Sequence, residues 1–110
     1  MDFNQTELEK KIVIHMDVDS LNADNHGEFK KIVSGFINRK KDVILDLKEV
    51  NFMDSSACGT ILYFLRNLNK AGYDLAICEV TKPVQILFGI IKFNKIINIF
   101  ESLNEAIGEV

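Results

Sequence analysis

The sequence contains few cysteines and no run of apolar residues long enough to span a membrane. Its two cysteines, Cys58 and Cys78, do not form a Cys-x-x-Cys pair, which argues against a zinc site or a redox site. We expect both to be small core residues of a protein in a reducing cytoplasm. Residues 1–10 lack a charged segment followed by an apolar one, so we expect neither secretion nor membrane insertion.

The sequence also lacks an excess of positive charge. Its formal net charge is −3 at pH 7, and its pI is about 5.3. Domains that bind nucleic acid usually carry a basic face. The basic runs Lys10-Lys11 and Arg39-Lys40-Lys41 each precede a predicted strand. We interpret them as solvent-exposed residues at the starts of those strands. We therefore expect neither nucleic acid nor anionic lipid as a partner.

Branched apolar residues predict the strands. Three strands are expected over residues 12–18, 43–47 and 74–80. A weaker edge strand is expected over 3–7, and a short final strand or an extended connection over 96–100. The segment 43–47 is apolar almost throughout, which is typical of a strand buried on both faces of a sheet.

Apolar residues three and four positions apart predict the helices. Two helices are expected over residues 29–37 and 57–70. Pro83 fits the first turn of a third helix, because a proline there removes no helical hydrogen bond. Ser102 and Glu105 match a capping box, in which each side chain satisfies one free backbone donor at the start of a helix.

The alternation of these strands and helices predicts an α/β fold. Parallel strands joined by helical crossovers give this order along a chain. A chain of 110 residues is large enough to bury a core without disulfides or metals. We therefore predict a single domain over residues 1–110, with a mainly parallel central sheet of four to five strands and about four helices.

An acid and two hydroxyls lie between the strand at 43–47 and the helix at 57–70. We expect Asp54, Ser55 and Ser56 in the connecting loop at the carboxyl edge of the sheet, where α/β proteins place ligands. Free N–H groups at a helix start favour a bound phosphate. The residues alone predict either serine as the N-cap. They leave three roles open for the acid: a second cap, a Mg²⁺ contact during phosphoryl transfer, or a partner for the loop.

The residue pattern gives no support for an enzyme. A nucleophilic site needs a serine or cysteine activated by histidine, and only His15 and His26 are present, without a Gly-x-Ser-x-Gly elbow. Asp17, Asp19 and Asp24 do not fit the spacing of an EF-hand calcium loop, so we interpret them as a surface acidic loop. We expect no catalytic residue, no metal and no cofactor.

Gly59 and the pair Ile86 and Ile90 can each be explained either by packing inside the domain or by binding of a partner. Gly59 lies one turn inside the predicted helix, where glycine costs about 1 kcal/mol relative to alanine. Either a partner approaches it closely or the helix packs tightly on the sheet there. Ile86 and Ile90 widen the apolar face of their helix, as part of the core, a docking surface or a homodimer surface.

The stretch Asn51-Phe52-Met53-Asp54-Ser55-Ser56-Ala57-Cys58-Gly59 resembles the signature of the STAS domain, and within that family the anti-sigma factor antagonists. The succession of predicted elements extends the resemblance over nearly the whole chain. This sequence has Ala57 and Lys92 where the family usually has glycine. Its Asp19-Ser20-Leu21-Asn22 replaces the family's Gly-x-Leu-Asp.

The resemblance implies a non-enzymatic binding switch. It makes Ser55 the phosphate acceptor and places the partner contact on Asp54, Ser55, Ser56, Cys58 and Gly59. The implied partners are an anti-sigma factor serine kinase, sequestered by the unphosphorylated form, and a cognate phosphatase. A constitutive STAS scaffold in a signalling or transport assembly is the alternative. Small-ligand binding at the sheet edge is a third hypothesis, which rests on the fold alone.

Overall fold

The computed structural model describes residues 1–108, which form an α/β domain. Its elements in chain order are β1 (Asp2–Glu7), β2 (Lys11–Asp17), β3 (Ser20–Leu21), α1 (His26–Ser34), β4 (Asp42–Asp46), β5 (Phe52–Met53), α2 (Ser55–Lys70), β6 (Leu75–Cys78), α3 (Lys82–Ile90), a 3₁₀ turn (Phe93–Lys95), β7 (Asn98–Phe100) and α4 (Leu103–Gly108).

The central sheet has five strands in the order β1-β2-β4-β6-β7. Strands β2, β4, β6 and β7 run parallel, and β1 is antiparallel to β2. A three-residue turn joins β1 to β2, closed by a 2.8 Å bond from the Leu8 N–H to the Lys11 carbonyl. A tight turn can reverse the chain, whereas parallel neighbours require a crossover. The predicted fold class is confirmed, including the number of strands and helices.

The two faces of the sheet are covered unequally. Side chains of β2 and β4 alternate between two apolar clusters, since Ile12 and Leu45 join the larger one and Val13 and Ile44 the smaller one. Helices α1, α2 and α3 cover the larger cluster, in which Phe64 is fully buried. Of the helices within residues 1–108, only α4 contributes to the smaller cluster. The predicted burial of β4 on both faces follows from this arrangement.

A second, two-stranded sheet was not predicted. Strands β3 and β5 pair in parallel, with Leu21 opposite Met53. The Asp19 carbonyl accepts hydrogen bonds from the N–H groups of Asn51 at 2.8 Å and Phe52 at 3.1 Å. These bonds extend the pairing of the two segments beyond the strands. The predicted strand-to-helix loop therefore contains a strand of its own. This strand brings the start of α2 beside the β3–α1 loop.

Helix boundaries differ from the predictions where local turns replace the helical pattern. Helix α1 begins three residues before the predicted 29–37 and ends at Ser34. Bonds from the N–H groups of Gly35 and Phe36 to carbonyls three residues back then tighten the chain, yet Phe36 stays buried. The apolar spacing thus continues past the end of the helix.

The predicted capping box of α4 forms only in part. The Glu105 N–H donates to the Ser102 hydroxyl at 3.2 Å, as expected. The free N–H of Leu103, however, is bound at 2.7 Å by the carboxylate of Glu79. A residue from another part of the chain therefore fixes the start of this helix, and sequence spacing could not have identified it.

Candidate functional site

Asp54 is the N-cap of helix α2. One carboxylate oxygen, Oδ1, accepts the N–H groups of Ser56 at 2.9 Å and Ala57 at 3.3 Å. The prediction that Ser55 or Ser56 caps the helix is therefore wrong. The aspartate has the extended backbone of a cap residue, and its negative charge also suits the positive end of the helix dipole.

The same carboxylate joins the helix to the β3–α1 loop. Its other oxygen, Oδ2, accepts the Ala23 N–H at 2.9 Å. Within that loop, the Asn22 side-chain oxygen accepts the Asp24 N–H at 2.9 Å, and Asn25 Oδ1 accepts the Asn22 N–H at 2.8 Å. The loop that departs from the family pattern is thus held by its own side chains. Of the three roles left open for Asp54, the geometry shows both cap and loop partner.

Ser55 and Ser56 are the first two residues of α2, not part of a loop. Ser55 is exposed and Ser56 is half-buried, as expected from their order after Asp54. A phosphate was expected to find free N–H donors here. The N–H groups of Ser56 and Ala57 are already bound to Asp54, so two of these donors are taken and the binding of a phosphate here stays a prediction.

Gly59 lies on the open surface of α2. It is exposed, and an added Cβ would meet no atom within 4 Å outside its own neighbourhood. Tight helix-to-sheet packing therefore does not explain this glycine. Ser55 lies four residues earlier on the same helix, so the two share one side of its first turn.

Cys58 faces the opposite way, into the core. It is buried, and its thiol donates to the Met53 sulfur at 3.8 Å. Burial raises the pKa of the Cys58 thiol to about 11, and the negative charge of Asp54 adds to this effect. The side chain therefore does not belong to the surface that Ser55 and Gly59 share, which corrects its placement among the contact residues.

A shallow groove runs between α1 and α2 beside this surface. Its floor and walls are formed by His26, Lys30, Ser56, Gly59, Thr60 and Tyr63. The ammonium of Lys30 lies 4.4 Å from the centre of the Tyr63 ring, and the Tyr63 and Ser34 hydroxyls are 3.1 Å apart. Lys30 thus makes one wall of the groove basic. The Tyr63 side chain is held in place by its contacts with Lys30 and Ser34.

A second polar cluster lies at the carboxyl ends of β2 and β4. His15 Nδ1 is 2.7 Å from a carboxylate oxygen of Asp46, and its Nε2 is 2.9 Å from the Thr6 hydroxyl. The other Asp46 oxygen accepts the Lys48 N–H at 2.9 Å. The histidine thereby connects the edge strand β1 to β4 across β2. This pairing depends on strand register, which the sequence did not reveal.

Among residues 1–108, no three His, Cys, Asp or Glu side chains converge in a way that could hold a metal ion. None of the helices in that range is both long enough and apolar enough to cross a membrane.

Fold and junction together define an α/β domain of the STAS type. The chain belongs to the STAS domain family, whose profile matches residues 2–106. The anti-sigma F factor antagonist of Paenibacillus polymyxa is 35% identical over 68 residues, which is 62% of this chain and 58% of that protein. A protein of Thermotoga neapolitana is 27% identical over 106 residues, which is 94% of each chain. Its name also contains the term anti-sigma factor antagonist.

Solved structures show the same fold. The anti-sigma factor antagonist SpoIIAA in its unphosphorylated form has a TM-score of 0.77 at 19% identity, over 96% of this chain and 93% of that one. SpoIIAA of Bacillus is also known in a phosphorylated form. The resemblance identified from the sequence, to STAS domains and to anti-sigma factor antagonists among them, is confirmed.

Proposed function

We propose that this protein is a phosphorylation-controlled switch in the cytoplasm that sequesters an anti-sigma factor kinase. Unphosphorylated, it binds the kinase and thereby frees a sigma factor. Phosphorylation of Ser55 by that kinase ends the binding, and a cognate phosphatase restores it. The observation that carries the proposal is the exposure of Ser55 directly after the Asp54 cap. Partner contact is assigned to Asp54, Ser55, Ser56 and Gly59.

The geometry supports release of the partner by local repulsion. A phosphoryl group adds about −1.5 to −2 charges. Because Asp54 already binds the N–H groups of Ser56 and Ala57, a phosphate on the exposed Ser55 would point outward from the helix start. One unit-charge pair at 4 Å is worth about 1 to 4 kcal/mol, and each 1.4 kcal/mol changes affinity about tenfold. Repulsion by a single acidic group of the partner would then suffice.

Refolding of the domain is not needed for this mechanism. Negative charge at a helix N-terminus is favoured by the helix dipole, so a phosphate would not unwind α2. Helix α2 also buries seven of its residues, which fixes it in the core. The phosphate would thus change the charge of the contact surface and leave its shape intact.

Phosphopeptide mapping after incubation with the cognate kinase and ATP tests the assignment. We expect phosphate on Ser55 in the wild type and in Ser56→Ala, and none in Ser55→Ala. Phosphate on Ser56 alone would falsify the site. A chain that binds the kinase with no phosphate gained would instead be a constitutive STAS scaffold.

A further inference from the structure

The region from residue 80 to 100 differs in charge from the rest of the molecule. It contains three lysines and no acidic residue, in a chain of net charge −3. It also carries more exposed isoleucine than any other part of the described chain. Four of its isoleucines are exposed, namely Ile86 (58%), Ile90 (73%), Ile91 (40%) and Ile96 (54%).

Part of this region adjoins the start of α2. Ile86 and Ile90 lie one turn apart on α3, and β5 packs against that helix. Phe52 of β5 is 54% exposed and precedes Ser55 by three residues. We call Phe52, Ile86 and Ile90 the α3–β5 face. Lys82 precedes Ile86 by one turn and Lys92 follows Ile90 by two residues, so lysines lie at both ends of the isoleucine stripe.

The exposed residues Ser55 and Gly59 alone cover only part of a typical protein interface. A stable interface takes about 800 Å² from each partner, whereas Ser55 and Gly59 span one helical turn. Interface cores also require buried apolar residues, among which aromatic side chains are enriched. Single exposed apolar residues are ordinary, but a group of them next to a binding site marks an interaction surface. The α3–β5 face supplies what the Ser55 surface lacks.

We infer that the kinase binds the α3–β5 face with an apolar hollow rimmed by acidic side chains. This inference rests on the proposed function. Phe52, Ile86 and Ile90 enter the hollow, and Lys82 and Lys92 meet the acidic rim. The lysines set the sign of the partner's charge by complementarity. The same acidic rim would repel a phosphate on Ser55. One pattern of charge on the kinase therefore explains both its attraction to the lysines and its release after phosphorylation.

Titration of the purified kinase, at fixed nucleotide and salt, tests the inference. Ile86→Ser/Ile90→Ser and Phe52→Ser should each weaken binding at least about tenfold, as truncation of central contact residues does. Ile107→Ser is the matched control, because Ile107 is also exposed but lies on α4, which covers the other sheet face. It should bind like the wild type.

The charges are tested separately. Lys82→Glu/Lys92→Glu should weaken binding and reduce its dependence on salt, whereas Lys10→Glu, in the β1–β2 turn, should change neither. Wild-type affinity in the isoleucine and phenylalanine variants would overturn the docking inference and leave the switch intact. A wild type that does not bind the kinase would overturn both. Loss of binding to phosphatidylserine vesicles in the same variants would assign the face to a membrane and overturn the inference.

Discussion

Asp54 caps the helix whose first residue is Ser55, so the residue before the proposed phosphate acceptor holds the junction in place. The carboxylate of Asp54 uses both oxygens, one for the helix and one for the Ala23 N–H. The Ser55 hydroxyl itself has no part in the cap. Stability and the proposed phosphorylation thus depend on adjacent but different side chains.

This division predicts different effects of two alanine substitutions. Asp54→Ala should lower the free energy of unfolding by about 2 kcal/mol, because it removes a cap and also frees the Ala23 N–H. Ser55→Ala should change it by no more than about 0.5 kcal/mol, as exposed positions usually do. Urea unfolding measures both. Equal losses in the two variants would contradict the assignment of the cap.

Gly59→Leu should separate binding from folding. The space around Gly59 is open, and leucine is the better helix former, so the variant should be more stable by about 0.5 to 1 kcal/mol. The same side chain should impair kinase binding, because it would fill the space beside Ser55. Gly108→Leu on α4, where an added Cβ also meets nothing, is the control and should bind normally. A large drop in melting temperature for Gly59→Leu would instead place this residue inside the domain.

Lys92 occupies a backbone conformation that favours glycine. Its φ is 57°, in the left-handed region, at the position where STAS domains usually have glycine. Lys92→Gly should therefore raise the free energy of unfolding by about 1 kcal/mol. Lys95→Gly, in the 3₁₀ turn that follows Lys92 and without a positive φ, should lower it by about 0.5 to 1 kcal/mol. Changes of the same sign in both variants, by thermal or urea unfolding, would contradict this explanation.

The buried thiols predict how stability responds to alkaline pH. Burial raises the pKa of Cys58 to about 11 and that of Cys78 to about 12, with nearby carboxylates adding to both shifts. In the unfolded chain these thiols ionise near pH 8.5. Their contribution to stability is therefore complete below that pH and is lost as the pH rises through the two folded-state values.

Urea unfolding across neutral to alkaline pH measures this loss. The double variant Cys58→Ala/Cys78→Ala should be less stable at neutral pH. Its free energy of unfolding should fall less as the pH rises, because the variant lacks the ionising thiols. Both thiols of the native wild type should also react slowly with a thiol reagent at neutral pH. Rapid labelling of either would show that it is not buried.

The sequence predicted most of the fold because burial imposes a spacing on each element. Strands β2 and β4 and the apolar stripe of α2 were identified from this spacing alone. The pair β3–β5 was missed, since two residues such as Phe52 and Met53 are too few to show a period. The identity of the cap was also out of reach: Asp54, Ser55 and Ser56 are all good capping residues, and backbone geometry decides among them.

The site was predicted only as far as chain order determines it. Exposure of Ser55 and partial burial of Ser56 follow from their succession at the start of the helix. Cys58 was expected in the core because it shares the helical spacing of Ile61 and Leu65, and only the resemblance placed it at the partner contact. The helix begins at Ser55, two positions earlier than predicted. The contact of Asp54 with the β3–α1 loop was not predicted, because that loop is distant in sequence and only the fold brings the two together.

The most direct test of the proposed switch is the affinity of the purified kinase for two forms of this protein, unphosphorylated and phosphorylated on Ser55. The titration is done at fixed nucleotide, first at low and then at high salt. We expect the phosphorylated form to bind at least about tenfold more weakly at low salt, with a smaller difference at high salt, because screening weakens the repulsion. Circular dichroism should show the same helix content in both forms. Equal affinities of the two forms at low salt would contradict the account.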